Sequence, residues 1–196
     1  LDIDQAAQAA RLATVREVGG TPADLAKAEA QRAVTGKTNY DDAFSKAVKG
    51  DGEITSILDN DFAEKAIKEA KQISRAQGVG VDDVLDPNNA TKFLHDVKLG
   101  LDAQLARSGD DALSSAQKNA VQQTKTKLID WLEDKNPAYR TARTTFAEES
   151  IPINQMRVGQ LLESKLTAPL EGKERAAAFA NALRDAPATL KKATGQ

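Results

Sequence analysis

"FAEESIPINQM" occupies residues 146–156 and decides how the second half of the chain is divided. The ring of Pro152 crowds the residue before it and disfavours the α region at Ile151. The stretch therefore predicts a corner at 150–152, where one helix stops and another starts. Glu148 and Glu149 precede Ser150 at that corner. Carboxylates at a helix C-terminus oppose the macrodipole. Their expected service is to the N-terminus that begins near Pro152.

Working outward, Asn136-Pro137 starts a helix with a capping residue followed by Pro at the first helical position. Ala138, Ala142, Phe146 and Ala147 share one of its faces, and Leu161, Leu162 and Leu166 lie beyond the corner. Before it, a helix over about 114–134 carries Ala116, Ala120, Thr124, Leu128, Trp131 and Leu132. Another, about 90–107 and capped by Asn89, lines Phe93, Leu94, Val97, Leu101 and Leu105 on one stripe. Nearer the start, residues 3–18 read as a helix ended by Gly19-Gly20. Thr21-Pro22-Ala23-Asp24 opens a second helix that Gly36 closes. A short helix over 40–49 presents Tyr40, Phe44 and Val48. Residues 50–58 read as a loop with an apolar plug of Ile54, Ile57 and Leu58. Asp61 and Glu64 form a capping box for a helix carrying Phe62, Ala66, Ile67, Ala70 and Ile73, which stops at Gly78 and Gly80. After "PLEGK", Glu171 to Arg184 forms a last, Ala-rich helix.

No run of alternating β-branched residues predicts a strand. The expected fold is all-α, an antiparallel helical bundle or a train of helical hairpins, with about seven to nine helices. "VGVDDVLDPNN" is the most loop-like connection. It divides the chain into an N-terminal helical region, 1–80, and a bundle region, 81–196, which together form two regions or one continuous domain. The absent start Met and the character of both ends suit a piece of a longer protein.

The chain has 196 residues, 40% hydrophobic and 4% aromatic, with Ala supplying much of the apolar count. That composition favours closely spaced helices. Net charge is -2, from 27 basic and 29 acidic residues, so no global basic field exists to hold nucleic acid. A nucleic-acid-binding alternative would use Lys and Arg on the outer helices, such as Arg140, Arg143, Lys191 and Lys192. Asp51, Glu53, Asp59, Asp61 and Glu64 cluster with no base among them, as on a solvated face. There is no cysteine, which removes disulfides, thiolate catalysis and cysteine metal sites. No apolar run is long enough for a membrane span.

Four stretches invite a chemical reading. Gly36-Lys37-Thr38 looks like the end of a phosphate-binding loop, but Gln31 stands where that motif needs glycine, and a helix precedes it. Asp59 and Asp61 look like the first ligands of a calcium loop, but Glu64 and Ala70 replace its glycine and its closing Glu. His95 is the only histidine, which excludes a two-His metal site. Its neighbour Asp96 points about 100° away on a helix and is badly placed to orient the ring. His95 therefore reads as an ordinary residue of an amphipathic helix.

Glu149-Ser150 resembles the Glu-Ser signature of lytic transglycosylases, in which the Glu is the single catalytic acid. That family's Gly-Leu-Met-Gln motif is missing from "NQMRVGQLL", residues 154–162. Such an acid also needs an apolar pocket to keep its proton. No catalytic, cofactor-binding or metal-binding residue is assigned.

A broader resemblance covers residues 89–166, about two fifths of the chain. A "Lys-x-x-Leu-Asp" helix, here Lys98-Leu99-Gly100-Leu101-Asp102, is followed by one opening "Pro-x-Tyr-x-x-Ala-Arg", with Pro137, Tyr139, Ala142 and Arg143 in those places. This order resembles helical segments of large bacteriophage and prophage proteins of the virion or DNA-ejection kind. The resemblance implies a non-enzymatic structural or assembly module. Its partners would be other protein subunits, including virion components. It would reside in the bacterial cytoplasm or in the assembled particle. The rival readings are a peptidoglycan-cleaving enzyme using Glu149 and a general bacterial helical adaptor.

Overall fold

The computed structural model describes residues 3–78, 86–169 and 172–194. These residues form no strand, and the fold is all-α with bundle-like helix packing. The helices are α1 (Ile3–Gly19), α2 (Pro22–Phe44), α3 (Gly52–Leu58), α4 (Asp61–Ala76), α5 (Ala90–Leu105), α6 (Ser115–Lys135), α7 (Pro137–Leu166) and α8 (Gly172–Thr194). A 3-10 turn at Gly109–Asp111 lies before α6.

Local chemistry sets most of the starts. The hydroxyl of Thr21 accepts from the Asp24 N–H at 3.1 Å, and Asp24 Oδ2 accepts from the Thr21 N–H at 2.9 Å. Two of the first-turn donors left over at a helix start are thereby satisfied. Ser114 and Gln117 make the same reciprocal box at α6. Asn136 Oδ1 accepts from the Tyr139 N–H at 3.2 Å, as the Asn136-Pro137 reading requires. Two caps differ from expectation. Asn60, one residue before Asp61, accepts from the N–H groups of Phe62 and Ala63, because the capping oxygen must precede the first helical residue. Asn89 makes no side-chain cap. Asp86 accepts from the Asn88 N–H at 3.0 Å instead.

The chain groups into two compact units, Gly36–Thr144 and a second one made of Leu1–Thr35 with Thr145–Gln196. The boundary expected between residues 80 and 81 lies outside the described residues, as does Gly80. The helices on its two sides, α4 and α5, belong to one unit. They approach closely: a Cβ added to Gly100 would stand 3.0 Å from the Ala66 Cα.

The core of Gly36–Thr144 is built on α5. Phe93, Leu94, Val97 and Leu101 are buried, as their stripe predicts, against Ala63, Ala66 and Ala70 of α4 and Val121, Leu128 and Leu132 of α6. Most of the stretch read as a loop over 50–58 is helical, as α3, Gly52–Leu58. Asp51 accepts from the N–H groups of Glu53 and Ile54, which starts α3 and lets it bury Ile54 and Leu58. Seven residues are too few to display a periodicity in sequence. Two buried amides of this unit are paired. Asn136 Nδ2 donates to the Ala43 carbonyl at 2.9 Å and to Thr91 Oγ1 at 3.1 Å. Gln104 Nε2 donates to the Phe62 carbonyl at 3.0 Å. Unpaired, each would lose its desolvation free energy without return.

The core of the other unit is smaller: Val15, Leu162 and Leu166, with Leu12, Val158, Phe179 and Ala182 against them. Around it stand Arg16 with Glu163 at 2.6 Å and Arg157 with Glu29 at 2.6 Å.

Two expected breaks are absent. Gly36 does not end a helix; α2 continues to Phe44, so the separate helix over 40–49 is its last part. Gly36 is buried in α2, and Lys37 pairs with Asp41 one turn on. Pro152 makes no corner, because α7 runs through it. Pro152 has no N–H to give the Glu148 carbonyl. Glu148, Ile151 and Pro152 are all exposed, so that carbonyl faces water and the loss is small. Ser150 and Ile153 are buried, and α7 continues past the proline. The acids at 148 and 149 therefore serve no helix N-terminus.

Candidate functional site

The residues singled out by sequence go to separate places. Ser150 donates to the Phe146 carbonyl at 2.6 Å and accepts from Arg32 Nη1 at 2.9 Å, which occupies its hydroxyl. Arg32 also lies over the Phe146 ring, 4.8 Å from its centroid. Glu149 is half-buried, and its Oε2 is a buried oxygen with no hydrogen-bond partner. Gly36, Lys37 and Thr38 lie in mid-helix, where no loop can cradle a phosphate. Asp59 and Asp61 flank the Asn60 cap and are exposed. Among the described residues, no group of three or more His, Asp or Glu side chains gathers in a metal-binding arrangement. Arg140 and Arg143 both turn to Glu133, at 3.9 and 2.7 Å. The side chains of Lys191 and Lys192 lie outside the described residues. No described helix is long and apolar enough to cross a membrane.

His95 corrects its sequence reading most sharply. It is no ordinary helix-face residue but part of an aromatic cluster with Tyr40, Phe44 and Tyr139, at ring-centroid distances of 5.0, 5.3 and 5.8 Å. Its Nδ1 lies 3.0 Å from the Tyr139 hydroxyl. Burial, then the nearby Lys98, Lys92 and Arg143 cations, lower its pKa to about 4. The ring is neutral at pH 7. Burial also raises the pKa of Tyr40 and Tyr139. Asp96 pairs with Lys92 instead of orienting the imidazole.

A concave surface in the Gly36–Thr144 unit was not legible from sequence. It is a groove of about 810 Å³ between α3 with the start of α4 on one side and α6 on the other. Ile57, Phe62 and Trp131 supply its apolar floor. Trp131 is 3% exposed, and its indole N–H donates to Asp51 Oδ1 at 3.0 Å. Lys135 Nζ stands 3.4 Å from the other oxygen of Asp51. One carboxylate thus caps α3, fixes the tryptophan and meets a cation. The Ile54 N–H first, then Trp131 and Lys135, hold its pKa below the usual carboxylate value. The groove's charged lining is Glu53, Asp130, Asp134 and Lys127. Glu149 and His95 are not part of it. This arrangement offers a surface for binding. Its apolar floor and charged rim offer shape and charge.

No protein-family model, curated protein or solved structure matches this chain.

Proposed function

We propose that this chain is a non-enzymatic structural or assembly module of a phage or prophage virion-associated protein, acting through helix-mediated contacts with partner subunits. The observation that carries the reading is the use made of the two motif segments. Lys98 and Lys125 both pair with Asp102, at 2.5 and 2.6 Å, which links α5 to α6. Tyr139 and Ala142 are fully buried, and Arg143 holds Glu133. These motif residues are engaged within the fold, the role the resemblance implies, while Pro137 is exposed at the start of α7. Density-gradient sedimentation after prophage induction tests the reading: the chain is expected in the particle band, and its confinement to the soluble fraction opposes it.

A second reading has one observation in its favour. The partnerless Oε2 of Glu149 is the kind of buried acid a peptidoglycan-cleaving enzyme uses. Against it, Ser150 is fully engaged and Glu149 lies in the middle of a continuous helix. A cell-wall zymogram separates the two readings. The expected result is no clearing; clearing that disappears in Glu149→Gln would establish the enzyme.

A further inference from the structure

We propose that the groove along α6 is a docking site for a basic amphipathic helix of a partner protein. This inference rests on the assembly reading above and gives it a place and a partner chemistry. Residues 120, 123, 124, 127, 130, 131 and 134 of α6 all line the groove. That spacing is one face of a helix followed for about four turns, or about 21 Å. A wall of that length suits a helix laid beside it, with its apolar residues at i, i+3, i+4 and i+7 on the floor. Ile57 and Phe62 are half-buried, so the floor keeps apolar surface for an occupant to cover.

Charge decides the occupant's polar face. The lining holds three acids and one base. Glu53 and Asp130 are exposed, with no ion-pair partner among the described residues. Asp134 shares Lys135 at 3.5 Å. Next to the groove, Asp59, Asp61 and Glu64 add exposed negative charge along a stretch, 51–64, that has no base. Lys or Arg flanking an aliphatic stripe complements both features, whereas an acidic helix or a nucleic-acid backbone meets like charge.

The test uses the full chain and two designed peptides of about fifteen residues, which share a Leu stripe and carry either Lys or Glu on the polar face. Calorimetric titration at about 0.15 M salt suppresses long-range attraction. The Lys peptide is expected to bind and the Glu peptide not. Glu53→Lys/Asp130→Lys is expected to weaken binding about tenfold or more. Asp110→Lys/Glu148→Lys, an equal charge change at exposed sites outside the groove, is expected to leave it within about twofold. Should the Lys reversal unfold the chain, Glu53→Gln/Asp130→Asn replaces it with the same expected direction. No binding of the Lys peptide, equal binding of the Glu peptide, or equal weakening by the two double reversals overturns the proposal. Peptide binding does not depend on virion association. A chain absent from particles that still binds the Lys peptide refutes the assembly reading and leaves the groove standing.

Discussion

Gly19 of α1 and Gly159 of α7 meet backbone to backbone. A Cβ placed on Gly159 would stand 2.4 Å from the Gly19 Cα, a separation no side chain tolerates. The neighbouring Gln160 Nε2 donates to the Gly19 carbonyl at 3.1 Å and fixes the crossing. Gly159→Ala therefore pushes the two helices apart, at a cost of about 3 kcal/mol by the usual scale of overpacking. Gly52→Ala is the matched control. Nothing lies within 4 Å of its added methyl, so it is neutral or stabilises by up to about 1 kcal/mol. Chemical denaturation of both variants checks the pair; equal stability would mean the crossing is wrongly placed.

His95 gives the fold an acid-sensitive element. Its folded pKa of about 4 lies below the ordinary histidine value of 6.5. The unfolded chain takes up a proton before the folded one does, so stability is complete above pH 6.5 and falls as pH drops from about 6.5 to about 4. The loss over that window is on the order of 3 kcal/mol. Asp51 has a lowered pKa, so its stabilising contribution is lost only at lower pH, as its carboxylate protonates. Thermal melts from pH 7 to pH 4 should slope downward in the native chain. In His95→Phe, which keeps the aromatic packing and has no proton to bind, the slope over that window should flatten.

Asn136 ties three elements through one amide: the end of α2 at Ala43, the start of α5 at Thr91 and the first turn of α7 at Tyr139. Asn136→Ala removes the amide donor from the buried Thr91 hydroxyl and from the Ala43 carbonyl, which keeps only the longer bond from the Lys46 N–H at 3.3 Å. It should cost about 2–4 kcal/mol, more than loss of a surface cap. The midpoint of urea unfolding measures it, with Ser114→Ala, at an exposed cap, as the smaller comparison of about 1 kcal/mol.

Asp51→Ala removes the α3 cap, the indole acceptor and the Lys135 partner together. A destabilisation of about 1–2 kcal/mol follows from the cap. Trp131 is the only tryptophan, so its emission reports the local change directly. A native-like emission spectrum in Asp51→Ala would contradict the indole hydrogen bond.

What the sequence made legible follows the range of each interaction. Thr21-Pro22 and Asn136-Pro137 announce their helices because a cap and its N–H partners lie within three residues. The α5 stripe is legible because four large residues repeat at helical spacing and all go inward. Pro152 and Gly36 mislead for the opposite reason. Whether a proline breaks a helix depends on which face carries it, and the burial of Ser150 and Ile153 that decides this belongs to tertiary packing. His95 reads as an ordinary residue of an amphipathic helix, and nothing near it in sequence announces Tyr40, Phe44 and Tyr139, which reach it from other helices. The groove was out of reach because it joins residues 53–62 to 120–134, and nothing in either stretch names the other.

The role we propose for this chain is that of a helical assembly module of a phage particle. Mass spectrometry of intact particles, purified after prophage induction in the source organism, tests it most directly. The account predicts peptides of this chain at a fixed ratio to other virion proteins. Particles lacking them, beside a lysate in which the chain is abundant, would contradict it.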